Sequence, residues 1–258
     1  MNPRRDYGPL CAEFYDRTKP IGVTYPDVMY YLNELRSTAG PILEAAVGTG
    51  RLLIPLLESG LVVEGIDASE DMLAYCRRHC EERGLAPRLR CARIETLELP
   101  DRYDAILLAF GSMMLLSTQE AMDALKVLRC HLRPGGSLYL DLDVPRIPEH
   151  ADGTVRLLRR IDCSNGDVLT LYSATRYDMI RHLEHNQLRY EKSSNGKVVA
   201  EELQDFILRW YGMDEMTLML RVAGFENIES CADFEPGKDP VLAREWLCFR
   251  AKNPSFLP

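Results

Sequence analysis

The sequence predicts an α/β fold in which βαβ units form a mostly parallel sheet and one stretch adds an antiparallel β insertion. Three observations point there. Residues 41–67, PILEAAVGTGRLLIPLLESGLVVEGID, read as strand, tight turn, helix and strand. Short apolar runs alternating with capped helical stretches continue to Asp143 and resume at Met213. Between them, VRLLRRID, DVLTLYSATRYD, HNQLRYEK and KVVAEELQDFILRW read as extended segments parted by SNG, a polar stretch and SSNG. The chain therefore divides into an N-terminal helical segment (1–40), a core (41–150 and 210–258) and an antiparallel insertion (151–209).

Each element has a local reason. Pro26 to Arg36 places Val28, Tyr31, Leu32 and Leu35 on one side of a helix, within an aromatic-rich N-terminal segment. Ile42 to Val47 is apolar apart from Glu44, and Gly48-Thr49-Gly50 turns the backbone. Arg51 to Glu58 follows as an apolar-faced helix, with Gly60 just past its end. Leu61 to Ile66 is the second apolar run, and Asp67 closes it. Ser69 is an N-cap for a helix from Glu70 to Arg83, with acids in the first turn and Gly84 as its stop. Leu89 to Ile94 is a weaker third strand. YDAILLAF, Tyr103 to Phe110, suits a strand covered on both faces. Ser117 and Glu120 have capping-box spacing and open a helix through Leu132; Ser137 to Asp143 is the fifth strand. After the insertion come a helix from Met213 to Ala223 and two last strands, Phe225 to Cys231 and Trp246 to Ala251.

Composition narrows the function. The 258 residues suffice for one large α/β domain with an insertion, or for two small domains. A net charge of −8 argues against a nucleic-acid footprint, so Arg156, Arg159 and Arg160 read as solvated. There is no run of 18 apolar residues and no signal-peptide pattern at the N-terminus. The eight cysteines include no C-x-x-C pair, and Cys76, His79 and Cys80 on one helix are too few for a metal. Buried thiols in a reducing cytosol are expected, hence a cytoplasmic protein with neither nucleic-acid nor membrane partners. The oligomeric state stays open, a homodimer included.

The first βαβ unit carries the ligand signal. Its glycine turn lies at the carboxyl end of a strand, where open α/β sheets bind ligands. Asp67 at the tip of the next strand can accept hydrogen bonds from both hydroxyls of a ribose. The dinucleotide fingerprint fails, because Leu53 stands where Gly or Ala is needed and Glu44 precedes the turn. No GKS or GKT follows, so this is not a phosphate loop. A ligand with a ribose, a cationic amino group and no pyrophosphate fits better.

LEAAVGTGR followed by GIDAS resembles the first two motifs of the class I S-adenosylmethionine-dependent methyltransferases. LRPGGSLYLDLD resembles that family's turn before the fifth strand, and RWYGMDEMTLMLRVAGF a segment leading to its sixth. The resemblance implies a Rossmann-like seven-stranded sheet of order 3-2-1-4-5-7-6 with only the last strand antiparallel. The cofactor would be S-adenosyl-L-methionine and the product S-adenosyl-L-homocysteine. Residues 1–40 would close over the cofactor as a lid, and the insertion would form the substrate side.

The same resemblance distributes roles. Glu44, Ala46, Gly48 and Gly50 would hold the methionine part, with Arg51 facing its carboxylate. Ala46 replaces the family's first glycine, which is tolerable where φ stays negative. Asp67, with Ala68 beside it, would take the ribose, and Met72 would pack on the adenine or simply fill the core. Arg93 stands where relatives often carry an adenine-binding acid, so Glu95, beside Ile94, or a backbone carbonyl would serve instead. Ala109 would complete the cofactor wall. Tyr7, Tyr15, Ser112, Met113 and Trp210 are candidates for the acceptor, with Tyr211 and Arg209 as catalytic candidates; packing roles for Trp210 and Tyr211 remain the alternative.

The implied activity is methyl transfer to a small molecule. A hydroxyl acceptor usually needs a base, whereas an amine needs little more than deprotonation. His79, His131, His150, His182 and His185 all look peripheral, which tilts the expectation toward nitrogen. A nicotinamide-dependent oxidoreductase, opposed by Leu53 and Glu44, and a non-catalytic cofactor-binding scaffold are the alternatives. No metal is expected. Asp141 and Asp143 share a strand face and could bind a cation, but Asp141 reads better as a structural acceptor.

Overall fold

The computed structural model describes residues 7–22, 25–146 and 152–255. Two helices open the chain, α1 (Pro9–Thr18) and α2 (Pro26–Leu35). The first βαβ unit follows as β1 (Ile42–Ala45), α3 (Leu53–Glu58) and β2 (Val63–Asp67), then α4 (Glu70–Glu81), β3 (Leu89–Cys91) and β4 (Tyr103–Leu108). Next come α5 (Thr118–His131) and β5 (Leu132–Asp143), the insertion strands β6 (Arg156–Asp162), β7 (Val168–Asp178), β8 (Leu183–Ser194) and β9 (Lys197–Arg209), and finally α6 (Met213–Val222), β10 (Glu226–Ala232) and β11 (Trp246–Lys252).

The central sheet has seven strands in the order β10-β11-β5-β4-β1-β2-β3. In core-strand numbering this is 3-2-1-4-5-7-6 read from the other edge, and only β11 runs antiparallel to its neighbours. The insertion forms a separate antiparallel sheet of four strands, β6-β7-β8-β9. Both layers follow from patterning. Alternate residues of β4 serve opposite faces: Ala105 and Leu107 join one apolar cluster with α2, α3 and α4, and Ile106 and Leu108 join the other with α5 and α6. The six residues of α3 are too few to be helical alone. Burial of Leu53, Ile54 and Leu56 holds them, at about 1.5–3 kcal/mol for each such side chain.

A third apolar cluster joins α1 to the insertion, through Leu10, Cys11 and Phe14 against Leu169, Leu171, Leu188 and Tyr190. Buried Glu202 on β9 caps α1 from across the chain, accepting from Gly8 N at 3.1 Å and Leu10 N at 2.9 Å. On its other side α1 meets α4, where Asp16 lies 2.6 Å from His79 Nε2 and 3.2 Å from Arg78. The capping box at Ser117 and Glu120 is formed with both hydrogen bonds present.

Several boundaries differ from the sequence reading, each for a visible reason. β5 begins at Leu132, not Ser137, because the Gly135–Gly136 stretch pairs with the Asn253 backbone. β3 stops at Cys91 and a short 3-10 turn, Ile94–Thr96, takes its place. β4 stops at Leu108 because Phe110 and Gly111 both turn left-handed, with φ of 58° and 69°. Ala46 also departs from expectation: its φ is 60°, not negative, so its Cβ carries a strain that the family's glycine avoids.

Candidate active site

The carboxyl ends of β1, β2, β4 and β5 converge beneath α1 and α2. After β1, Gly48 and Gly50 have φ of 57° and 88°. Gly50 is required twice over, since a Cβ there would lie 2.9 Å from Cys76 Sγ. The turn is locked to the tip of β2. Asp67 accepts Gly48 N at 2.8 Å on one carboxylate oxygen and Ser69 N at 2.8 Å on the other. Each oxygen keeps a lone pair, and the side chain is only half-buried, so it can still accept from a diol. Burial raises the Asp67 pKa, and the backbone N–H groups of Ser69, Gly48 and Ala68 oppose that rise. Ser69 Oγ donates to Tyr7 O at 2.7 Å while accepting from Met72 N at 3.2 Å, which ties the chain just ahead of α1 to the first turn of α4.

Glu44 is the electrostatic oddity of the site. It is 4% exposed, and its Oε2 has no hydrogen-bond partner among the described residues. Burial pushes its carboxyl well above the usual range, and the neighbouring Arg51 pulls it back. An unsatisfied buried carboxylate oxygen is costly, so the arrangement fits a ligand that brings a donor, such as an amino group. This orphaned atom is the test of fit for an S-adenosylmethionine methionine part, and the site passes it.

Arg51 departs from the sequence expectation. Its guanidinium is 5% exposed and grips Asp27 of α2 through two bonds, at 3.0 and 2.5 Å. It also lies over the rings of Tyr25 and Phe110, at 4.9 and 4.4 Å. Two of its donors are thus committed to α2 and not to a ligand carboxylate. Tyr15 sits beside Arg51; burial pushes its hydroxyl up to about 12, with Arg51 pulling the other way. Tyr7 and Tyr15 meet edge to face at 6.3 Å, and Tyr7 meets Phe206 of β9 at 6.1 Å, so both tyrosines stand between insertion and core, half-buried.

On the adenine side, Ala68 is exposed beside Asp67, while Met72 is buried with its Cε 3.4 Å from where a Gly48 Cβ would be. Met72 therefore supports the turn from below. Ile94 is buried, and Glu95 accepts from Arg93 Nε at 2.5 Å, so the acid that could replace the missing one is already ion-paired. Ala109 is buried at the end of β4.

Three acceptor candidates, Ser112, Met113 and Trp210, and the catalytic candidate Tyr211 are engaged in packing or in their own turns. Ser112 spends its hydroxyl on Ala109 O at 2.7 Å, closing its own turn. Met113 is fully buried in the core cluster. Tyr211 is 2% exposed and its hydroxyl donates to Leu116 O at 3.4 Å, which is a packing position. Trp210 is buried and stacks on His182 at 5.4 Å, clamping the β7–β8 turn onto the core. Arg209 is half-buried with its Cζ 5.9 Å from the Tyr211 ring, and its Nε has no partner.

Asp141 is fully buried and accepts from Tyr31 Oη at 2.5 Å and Gly111 N at 2.8 Å. Burial raises its carboxyl to about 6. It anchors α2 and the left-handed turn after β4, whereas Asp143 is exposed; no group of three or more potential metal ligands occurs among the described residues. His131 bridges Leu99 N and Val127 O, His79 pairs with Asp16 and His185 is exposed, while His150 lies outside the described residues. Sequence reasoning missed Asp27, Tyr25 and Phe110, which no local spacing links to Arg51. A cavity of about 560 Å³ lies at the opposite end of the strands, lined by Pro41, Leu61, Val62, Arg88 and Arg133, and contains none of the site residues.

The fold is that of Rossmann-like methyltransferases, and comparison with known proteins finds the same likeness. A family described as "Methyltransferase domain" matches residues 42–136. The chain is 38% identical over 117 residues to a demethylmenaquinone methyltransferase of Thermus thermophilus, covering 44% of this chain and 51% of that protein. It is 30% identical over 145 residues to a dTDP-3-amino-3,6-dideoxy-alpha-D-glucopyranose N,N-dimethyltransferase of Streptomyces fradiae, covering 54% and 55%. These matches span about half the length of each relative. The solved CcbJ methyltransferase of Streptomyces caelestis aligns over 98% of this chain and all of that one, with 25% identity and a TM-score of 0.77. These likenesses support a class I S-adenosylmethionine-dependent methyltransferase, with S-adenosylmethionine as the cofactor. No helix among the described residues is long and apolar enough to cross a membrane.

Proposed function

We propose that the protein transfers a methyl group to an amine nitrogen of a small molecule. The observation that carries this reading is that, among the described residues, no imidazole faces the cleft: each described histidine is engaged elsewhere or exposed. A hydroxyl acceptor usually needs a base, most often an imidazole, while an amine attacks once it has lost a proton. The aminosugar named for the Streptomyces fradiae relative supports an amine, and the solved sugar N-methyltransferase KedS8, alike in fold at a TM-score of 0.66, is consistent with it.

The geometry above supports the following roles. Glu44 would receive the amino group of the methionine part, the Gly48–Gly50 backbone would border it, and Asp67 would hold the ribose. When bound, the cofactor supplies a methyl group already activated on a sulfonium. The chain's own task is then alignment and exclusion of water, and positioning can supply roughly 7–11 kcal/mol of barrier reduction in favourable cases. Residues 1–40 act as a lid through Tyr7 and Tyr15, and the insertion 151–209 walls the acceptor side. The test is incubation with methyl-labelled cofactor and matched amino and hydroxy sugars, followed by mass analysis. Label on the amino compounds only is the expected result; label on the hydroxy compounds alone would overturn the nitrogen assignment.

A further inference from the structure

Lys19 ends α1 and faces the same two rings as Arg51. Its Nζ lies 4.8 Å from the Tyr25 centroid and 4.9 Å from that of Phe110. The two cations differ in their partners. Arg51 is held bidentately by Asp27. Lys19 is half-buried, with no carboxylate in ion-pair range among the described residues.

The local charges sum to zero only when buried Glu44 is counted, and they do not pair off. Lys19 and Arg51 against Asp27 leave one excess positive charge on this side of the glycine turn. Buried Glu44, close enough to Arg51 for each to shift the other's ionisation, offers an oxygen without a partner. An unmatched cation and an unmatched carboxylate within one cleft are the complement of an amino-acid zwitterion. Ring faces alone hold an ammonium less strongly than a carboxylate does.

We propose that Lys19 is the counter-cation for the carboxylate of the cofactor's amino-acid part, opposite Glu44 at the amino end. The proposal rests on the methyltransferase reading. It replaces Arg51, two of whose donors Asp27 has taken, in the role first expected of it. Lys19 ends one helix of the N-terminal segment, and Tyr25, under the same ammonium, precedes the other.

The test compares S-adenosylmethionine with its decarboxylated analogue, which keeps the nucleoside, sulfonium and amine. Calorimetry without acceptor reads binding directly. Lys19→Met should weaken S-adenosylmethionine by about tenfold, the ratio given by 1.4 kcal/mol, and leave the analogue unchanged. Lys19→Arg should retain most of the preference for the carboxylate. Equal loss for both ligands would make Lys19 a latch on the rings, and no loss for either would give it no part in binding; both overturn the proposal. Wild-type protein that binds neither ligand would overturn the cofactor assignment and the proposal with it, a failure visible before any variant is made.

Discussion

Asp27→Ala should destabilise the protein by about 3–5 kcal/mol, the range for breaking a buried ion pair by removing one partner. Asp27 is 1% exposed and Arg51 5%, and two hydrogen bonds at 3.0 and 2.5 Å join them. The alanine would leave a buried guanidinium with only the Tyr25 and Phe110 rings beside it, and a cation–π contact returns about 2 kcal/mol even when desolvated. For a chain of this length the loss corresponds to a fall of roughly 10 °C in melting temperature. Circular dichroism on heating and urea titration both read it. The double variant Asp27→Leu/Arg51→Met should recover much of the loss, because no unpaired charge remains buried. A single-variant loss below about 1 kcal/mol, or a double variant as unstable as Asp27→Ala, would refute the claim that this pair holds α2 on the glycine turn.

Two further outcomes follow from the same geometry. Asp141 has a folded-state carboxyl raised to about 6 from an ordinary 3.8, so its contribution to stability is full below about pH 4 and is lost as pH rises to about 6. The size is on the order of 3 kcal/mol at 1.36 kcal/mol per pKa unit, and Asp141→Asn should flatten the stability curve between pH 4 and 6; an unchanged slope would reject the assignment. Tyr211→Phe keeps the ring and deletes a hydroxyl bonded only to Leu116 O at 3.4 Å, so kcat/KM should stay within about twofold and stability within about 1 kcal/mol. A tenfold fall in kcat/KM would return Tyr211 to the mechanism.

The periodic part of this fold was legible and the paired part was not. Strand and helix positions follow from local alternation and caps, so the Ser117–Glu120 box and the β4 run came through with small boundary shifts. The strand order came from motif resemblance, since periodicity does not rank strands across a sheet. Arg51 and Asp27 meet across 24 residues, and Glu202 caps α1 from more than 190 residues away, distances at which spacing carries no signal. Ala46 misled for a different reason. A non-glycine residue favours negative φ, but the locked Gly48–Asp67 turn imposes 60° on it. Tyr211 was harder to place because a junction between insertion and core can face either a cleft or the interior, and its burial and its bond to Leu116 O put it inside.

The central claim is that the Glu44–Gly50 turn and Asp67 form the cofactor site, and calorimetry with S-adenosylhomocysteine tests it most directly. Wild-type protein should bind. Asp67→Ala should lose on the order of 1.5–3 kcal/mol, the worth of hydrogen bonds to a charged acceptor, and Asp67→Asn, which can still take one backbone N–H, should fall between. Equal affinity in wild type and Asp67→Ala would remove Asp67 from the site, and tight binding of a nicotinamide dinucleotide without any S-adenosylhomocysteine binding would contradict the assignment as a whole.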